Sequence, residues 1–200
     1  MKRILFTILV SLLTLSGCGG SAQVKSNWSE ARERSGPFGS ILVVGISESA
    51  RQRRRFENAL TEQLDKKGIT AWASNRIMPV GAEINRENVM AAVGKTSATA
   101  VVVTQLVDQE ISTKKIPGRT EMKSGTSSGF FSYDYDEYEE EGQLQVRSSV
   151  TLLTEVYEIH NGALIYYIRS TSTNKRTDVE ILDEQTLAIA KRLKRDRVVR

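Results

Sequence analysis

One cysteine, Cys18, constrains this 200-residue chain more than any other residue. It follows a leader in which Lys2 and Arg3 form a short positive region. Ile4 to Leu15 is then an apolar run broken only by Thr7, Ser11 and Thr14. The run is too short to cross a bilayer as a helix, which takes about 20 apolar residues. A charged start, a short apolar stretch and small residues at its end form the layout of a secretory signal peptide, expected here over residues 1–17. Export implies an oxidising compartment, where small domains are commonly stapled by disulfides. A chain with one cysteine forms no internal disulfide. It must fold on its apolar core, and about 160 residues beyond the leader and linker suffice for one domain.

Leu15-Ser16-Gly17-Cys18 resembles the lipobox of bacterial lipoproteins. The resemblance implies diacylglycerol on the Cys18 thiol and, after cleavage, a further acyl chain on its amine. Each buried methylene contributes about 0.8 kcal/mol, so several acyl chains hold a membrane firmly. Gly19 stands where an aspartate would imply inner-membrane retention, so likeness to sorted lipoproteins implies the periplasmic face of the outer membrane. Residues 18–38 read as a flexible tether: Gly19 to Pro37 is small and polar, lacks a period, and ends in the turn signal Ser35-Gly36-Pro37. About 20 residues reach roughly 70 Å at most and average nearer 25 Å as a coil. A single α/β domain is expected over 39–200.

Within that domain, Ile41-Leu42-Val43-Val44-Gly45-Ile46 suits a strand buried on both faces. Ser47 or Ser49 caps a helix whose stripe is Phe56, Ala59, Leu60 and Leu64, with the arginines and Lys66 placed elsewhere and Gly68 as the stop. A short strand follows at Ile69 to Ala73. Asn85 caps a second helix with Val89, Ala92 and Val93 inward and Gly94 at its end. Ala100 to Val107 is another buried strand. Strand, helix, strand, helix, strand argues for an α/β layer. Leu144, Val146, Val150, Leu152 and Val156 then mark a half-buried strand of period two. Asn161-Gly162 predicts a type I′ hairpin turn, which sets Tyr157 opposite Tyr166 and Val156 opposite Tyr167. Both faces read apolar near that turn, so either one face is covered or a bulge shifts the register. Thr177-Asp178-Val179-Glu180 is a capping box opening a last helix with Val179, Leu182, Thr186, Ile189 and Leu193 inward. The expected fold class is α/β with a mixed sheet: strand-helix-strand-helix-strand, a β-hairpin and a C-terminal helix, in two or three layers.

This arrangement is similar to a group of periplasmic lipoprotein domains. The group comprises the curli-secretion lipoprotein, the lipoprotein activators of class A penicillin-binding proteins, and the N-terminal domain of the Tol-Pal translocation protein. The likeness lies in an acylated cysteine followed by Ser40-Ile41-Leu42-Val43-Val44-Gly45-Ile46, a helix, and Ala100-Val101-Val102-Val103-Thr104. It extends to the hairpin from Leu152 to Tyr167 and covers about 40–200. It implies a mixed sheet with helices and a role in envelope assembly or secretion. The short tether departs from an activator that must reach an inner-membrane enzyme. The acidic run Asp134 to Glu141 departs from a membrane-spanning pore hairpin.

The residues restrict the chemistry. His160 is the only histidine and precedes Asn161-Gly162, which makes it a solvated turn residue. Histidine triads, multi-histidine metal sites and thiol chemistry lack their residues. The acidic residues crowd into one run, neither paired for acid-base work nor spaced as an EF-hand loop. Gly45-Ile46-Ser47-Glu48-Ser49 has neither Walker A nor GxGxxG spacing. No enzyme activity, metal or cofactor is expected. The net charge of +4 falls by two without Lys2 and Arg3, and no RNA- or DNA-binding motif accompanies it, so no nucleic acid partner is expected. Residues 110–142 form a long connection, read as a flexible loop of the kind that is commonly functional. Its aromatics Phe130, Phe131, Tyr133, Tyr135 and Tyr138 suit protein recognition, with Arg51, Arg54 and Arg55 on the first helix as the adjoining surface. The expected function is a non-enzymatic adaptor or accessory factor that binds a periplasmic or outer-membrane protein. A carboxylate- or metal-dependent envelope enzyme and an oligomeric secretion component, in which the chain is a homo-oligomer, are the alternatives.

Overall fold

In a computed structural model, residues 22–30, 37–115, 120–123, 136–139, 144–173 and 177–200 are described. The leader, Cys18 and Phe130 to Tyr135 lie outside them. The strands are β1 (Gln23–Trp28), β2 (Ser40–Ile46), β3 (Thr70–Ala73), β4 (Ala100–Lys115), β5 (Thr120–Lys123), β6 (Asp136–Glu139), β7 (Leu144–Glu158) and β8 (Leu164–Thr173). The helices are α1 (Ala50–Asp65), α2 (Ser74–Ile77), α3 (Arg86–Val93) and α4 (Asp178–Arg195). Six strands make one sheet in the order β1-β8-β7-β4-β2-β3, and β5 pairs with β6 in a separate two-stranded sheet. β2 runs parallel to β3 and β4, while the pairs β4/β7, β7/β8 and β8/β1 are antiparallel.

The uninterrupted apolar run of β2 has the expected consequence. Ile41 and Val43 join one core with Leu60 and Leu64 of α1 and Ile189 and Leu193 of α4. Leu42 and Val44 join a second core with Ala92 and Val93 of α3 and Met78 after α2. Alternate residues of one strand thus feed two cores on opposite faces, and the fold is a three-layer α/β sandwich over β2, β3 and β4. Helices seal the central parallel strands because those strands carry no polar face. On the far half of the sheet, Lys25, Tyr167 and Arg169 are exposed.

The caps form where the sequence places them. Ser49 accepts from Gln52 N at 3.3 Å, Asn85 from Asn88 N at 2.9 Å and Thr177 from Glu180 N at 3.2 Å. Each satisfies one of the backbone donors that a helix start leaves free. Gly68 takes φ +75 after α1, a conformation that favours glycine.

Four expectations change. The segment assigned to the tether contains β1, which pairs with β8 along its length; Val24, Ser26 and Trp28 alternate with Gln23, Lys25 and Asn27, and that period of two was hidden by its polar setting. The long flexible loop at 110–142 is shortened at its start, because β4 continues to Lys115 opposite Leu144 of β7, and β5 and β6 pair inside it. The hairpin turn is not type I′: among the described residues only Arg197 has positive φ apart from glycines, so Asn161 does not. Instead Gly162 alone takes φ +70, Gly162 N donates to Glu158 O, and Asn161 Oδ1 accepts from Ala163 N at 2.8 Å. That wider turn shifts the register between Val156 and Tyr157, giving Val156 opposite Tyr166 and Tyr157 opposite Leu164; of the two explanations for the doubly apolar hairpin, the bulge is present. Val179 is 50% exposed, because α4 buries its sheet-facing side only from Gln185 onward.

Candidate functional site

Helices α1 and α4 lie on the same face of the sheet and diverge where α1 begins. The opening is a groove of about 310 Å3. Gln52, Arg53, Arg55 and Phe56 form one wall, and Asp178, Ile181, Leu182 and Gln185 the other. Its floor is the end of β2 at Gly45 and Ile46 with parts of β4 and β7 from Thr104 to Gln109 and at Val150 and Leu152. The position follows from strand lengths: β2 stops opposite Gln105 while β4 runs on, so the sheet steps down beside the first turn of α1. Ile46 is 44% exposed and Leu106 51% exposed at this step, and Val107 beside them is exposed as well. The register of β4 against β7 shifts between Leu106 and Asp108, a bulge that turns this stretch away from a regular pleat.

The floor is rigidly held. Thr104 and Thr154 share a hydroxyl hydrogen bond of 2.9 Å. Gln185 is fully buried and donates from Nε2 to Val150 O at 2.9 Å and Ser170 O at 3.3 Å. Its Oε1 and the Ser170 hydroxyl are buried with no hydrogen-bond partner among the described residues.

Behind the α1 wall stands a polar cluster that the helical stripe concealed. Glu57 is fully buried, and its carboxylate accepts five hydrogen bonds. Oε1 receives Gly45 N at 2.9 Å, Arg53 Nε at 2.8 Å and Ser74 Oγ at 2.8 Å; Oε2 receives Asn75 N at 2.6 Å and Asn75 Nδ2 at 2.7 Å. Arg53 also donates from Nη2 to Ser74 Oγ at 2.9 Å. One carboxylate thereby ties the end of β2, the first half of α1 and the β3–α2 junction together. With both oxygens engaged by these donors, it positions the groove wall. Arg53 does not lie outside the buried stripe as the sequence reading had it: its side chain is 13% exposed, and Arg53, Glu57, Leu60 and Leu64 continue one helical face at spacings of three and four. That spacing was the available signal.

The residues singled out from sequence are dispersed. Arg51, Arg54 and Arg55 are exposed on α1, and Arg55 lines the groove. Tyr138 is in β6, opposite Glu121. Phe130, Phe131, Tyr133, Tyr135 and the lipidation residue Cys18 lie outside the described residues. His160 is exposed at the β7–β8 turn. Among the described residues no group of three His, Cys, Asp or Glu side chains is placed to hold a metal, and no helix is long and apolar enough to cross a membrane.

No protein family matches the chain, and neither does any curated protein. Among solved structures it is similar to the PelC dodecamer from Paraburkholderia phytofirmans, at 13% identity over 85% of this chain and 95% of that one, with a TM-score of 0.45. It is also similar to lipoprotein GNA1162 from Neisseria meningitidis, at 12% identity over 78% and 99% of the two chains, with a TM-score of 0.41. A PDZ domain protein from Parabacteroides distasonis is similar at 9% identity and a TM-score of 0.38, over 36% of its own length.

Proposed function

We propose that this protein is a lipid-anchored accessory factor of the bacterial envelope, held through Cys18 on the periplasmic face of the outer membrane, that acts by binding another protein and catalyses no reaction. The observation that carries the binding reading is the α1/α4 groove, whose floor exposes Ile46 and Leu106. Apolar side chains such as Ile46, Phe56, Leu106 and Leu182 line it among polar ones such as Gln52, Arg55 and Asp178, a mixture that suits an incoming apolar anchor ringed by polar contacts. The buried carboxylate behind the groove wall, Glu57, is engaged by structural donors, which supports the non-enzymatic reading.

The test is recovery of bound proteins from crosslinked cells with wild type and with Ile46→Asp/Leu106→Asp. Loss of specific partners with thermal stability nearly unchanged supports the reading; an unchanged set of partners overturns it.

A second reading, an oligomeric envelope component, is favoured by the arm that β4 and β7 form beyond the sheet. β4 has its last β2 partner at Gln105 and continues to Lys115; β7 begins at Leu144, ahead of its first β8 partner at Ser149. A two-stranded ribbon is marginal alone in water, and pairing with the arm of another copy would complete its edges. Mass by light scattering separates the readings: a monomer at micromolar concentration removes the second.

A further inference from the structure

We propose that β1 is a releasable clasp that sets how far the domain stands from its anchor, an inference that rests on the reading that Cys18 carries lipid. The chain is fastened to the domain at two points in series. The inner point is Phe38, buried in the main core. Its N–H donates to Val198 O at 2.9 Å, its carbonyl accepts from Arg200 N at 3.1 Å, and it bridges Val199 in parallel. The outer point is β1. No residue of β1 is buried: Gln23, Lys25 and Asn27 are exposed, and Val24, Ser26 and Trp28 are half-buried. β1 pairs only with β8, so its departure leaves β8-β7-β4-β2-β3 as a continuous sheet.

Val24 and Trp28 of β1 pack half-buried against the main core, and its polar side-chain fastening is gathered at one place. Asp196 Oδ2 accepts from Ser26 Oγ at 3.0 Å and from Tyr166 OH at 2.5 Å. Arg192, 3.8 Å from the same oxygen, donates to Val24 O at 2.8 Å. Trp28 packs edge-on against Tyr166 with ring centroids 4.9 Å apart. An edge strand whose side chains are at most half-buried gives way before a buried core, so β1 opens as a local unit while Phe38 holds. The change in reach is large. From Cys18 to Gln23 the chain spans at most about 17 Å, and from Cys18 to Phe38 about 70 Å. Docking and release of β1 therefore switch the domain between a membrane-apposed and an extended position.

Hydrogen exchange on full-length Cys18→Ser protein, which carries no lipid, tests the clasp by itself. The β1 amides, and the β8 amides bonded to them, are expected to exchange together at least tenfold faster than those of β2 and of β7 within the sheet. Asp196→Asn is expected to speed β1 about tenfold further without changing β2. Lys25→Cys with Arg169→Cys, opposite each other and exposed, is expected when oxidised to slow β1 to the rate of the core. Exchange of β1 only through global unfolding, or an equal effect of Asp196→Asn on β1 and β2, overturns the clasp. Reach is read on acylated protein in vesicles by energy transfer from a label at Lys95→Cys to a membrane dye. Asp196→Asn is expected to lower transfer, and unchanged transfer despite faster β1 exchange overturns the reach claim. Wild-type protein that fails to bind the vesicles overturns the anchoring and with it the reach, while the exchange data still decide whether β1 opens.

Discussion

Removing the Glu57 carboxylate is expected to be the most damaging single change in the groove wall. In Glu57→Ala, the donors from Gly45 N, Asn75 N, Asn75 Nδ2 and Ser74 Oγ lose their acceptor, and Arg53, 13% exposed, loses its counter-ion. Breaking a buried pair by removing one partner costs about 3–5 kcal/mol, because the orphaned groups keep their desolvation cost. In a domain of this size each kcal/mol is worth about 2–4 °C, which gives a fall in Tm of about 12 °C. Glu57→Gln keeps the shape and one acceptor oxygen but presents an amide to donors; about half of that loss is expected. Arg53→Met spares the carboxylate its other four donors and is expected to cost about 1–2 kcal/mol. Urea unfolding followed by circular dichroism gives all three values. The order Ala, Gln, Met in decreasing damage is the signature of an acceptor hub. A Glu57→Ala variant within 1 kcal/mol of wild type would refute it.

Three further outcomes follow from the geometry. Burial raises the Asp196 carboxyl, but hydrogen bonds from Tyr166, Arg195 and Ser26 outweigh it and hold the group below the usual aspartate value of 3.8. Its contribution to stability is present above about pH 4 and is lost as pH falls further, so urea midpoints should decline below pH 4 in wild type and less in Asp196→Asn. Tyr166 is pushed the other way, first by burial and then by Asp196; its contribution is full below pH 10 and falls as pH rises beyond, and Tyr166→Phe should remove part of that decline, with Tyr157, raised by burial and Glu155, carrying some of the rest. Cys18→Ser should move the protein from the membrane to the soluble periplasmic fraction; membrane retention of the serine variant, with no lipid-probe labelling of wild type, would end the anchoring claim.

What the sequence made legible divides along physical lines. Elements with a strong, locally encoded pattern were readable: the Ile41–Ile46 run, the caps Ser49, Asn85 and Thr177, and the glycine stop at Gly68. These depend on backbone donors and on apolar periodicity, both of which short stretches express. β1 was not readable because its inward residues, Val24, Ser26 and Trp28, include one serine and sit among polar neighbours. Its identity as a strand comes from the exposed edge of β8 and from Asp196, far away in sequence. Glu57 gives no signal of its own because a charged residue on a helix is ordinarily solvated; only the fold brings Gly45, Ser74 and Asn75 to its carboxylate. The groove was out of reach for a similar reason. It arises from the difference in length between β2 and β4 and from the divergence of two helices more than 100 residues apart in the chain, neither of which has a local signature. The sequence reading gave recognition to the aromatic segment Phe130 to Tyr138 with Arg51, Arg54 and Arg55; of these, the structure brings Arg55 to the groove.

The central claim is that partner binding occurs at the α1/α4 groove, and site-specific photocrosslinking in cells tests it most directly. A photoreactive residue is placed at Leu106 or Gln52 on the groove, and at Lys25 or Arg169 on the open face of the sheet. The account predicts a discrete adduct from the groove positions that disappears when Leu182→Trp fills the groove, and no such adduct from the open face. Adducts from Lys25 or Arg169 alone, or groove adducts indifferent to Leu182→Trp, would contradict it.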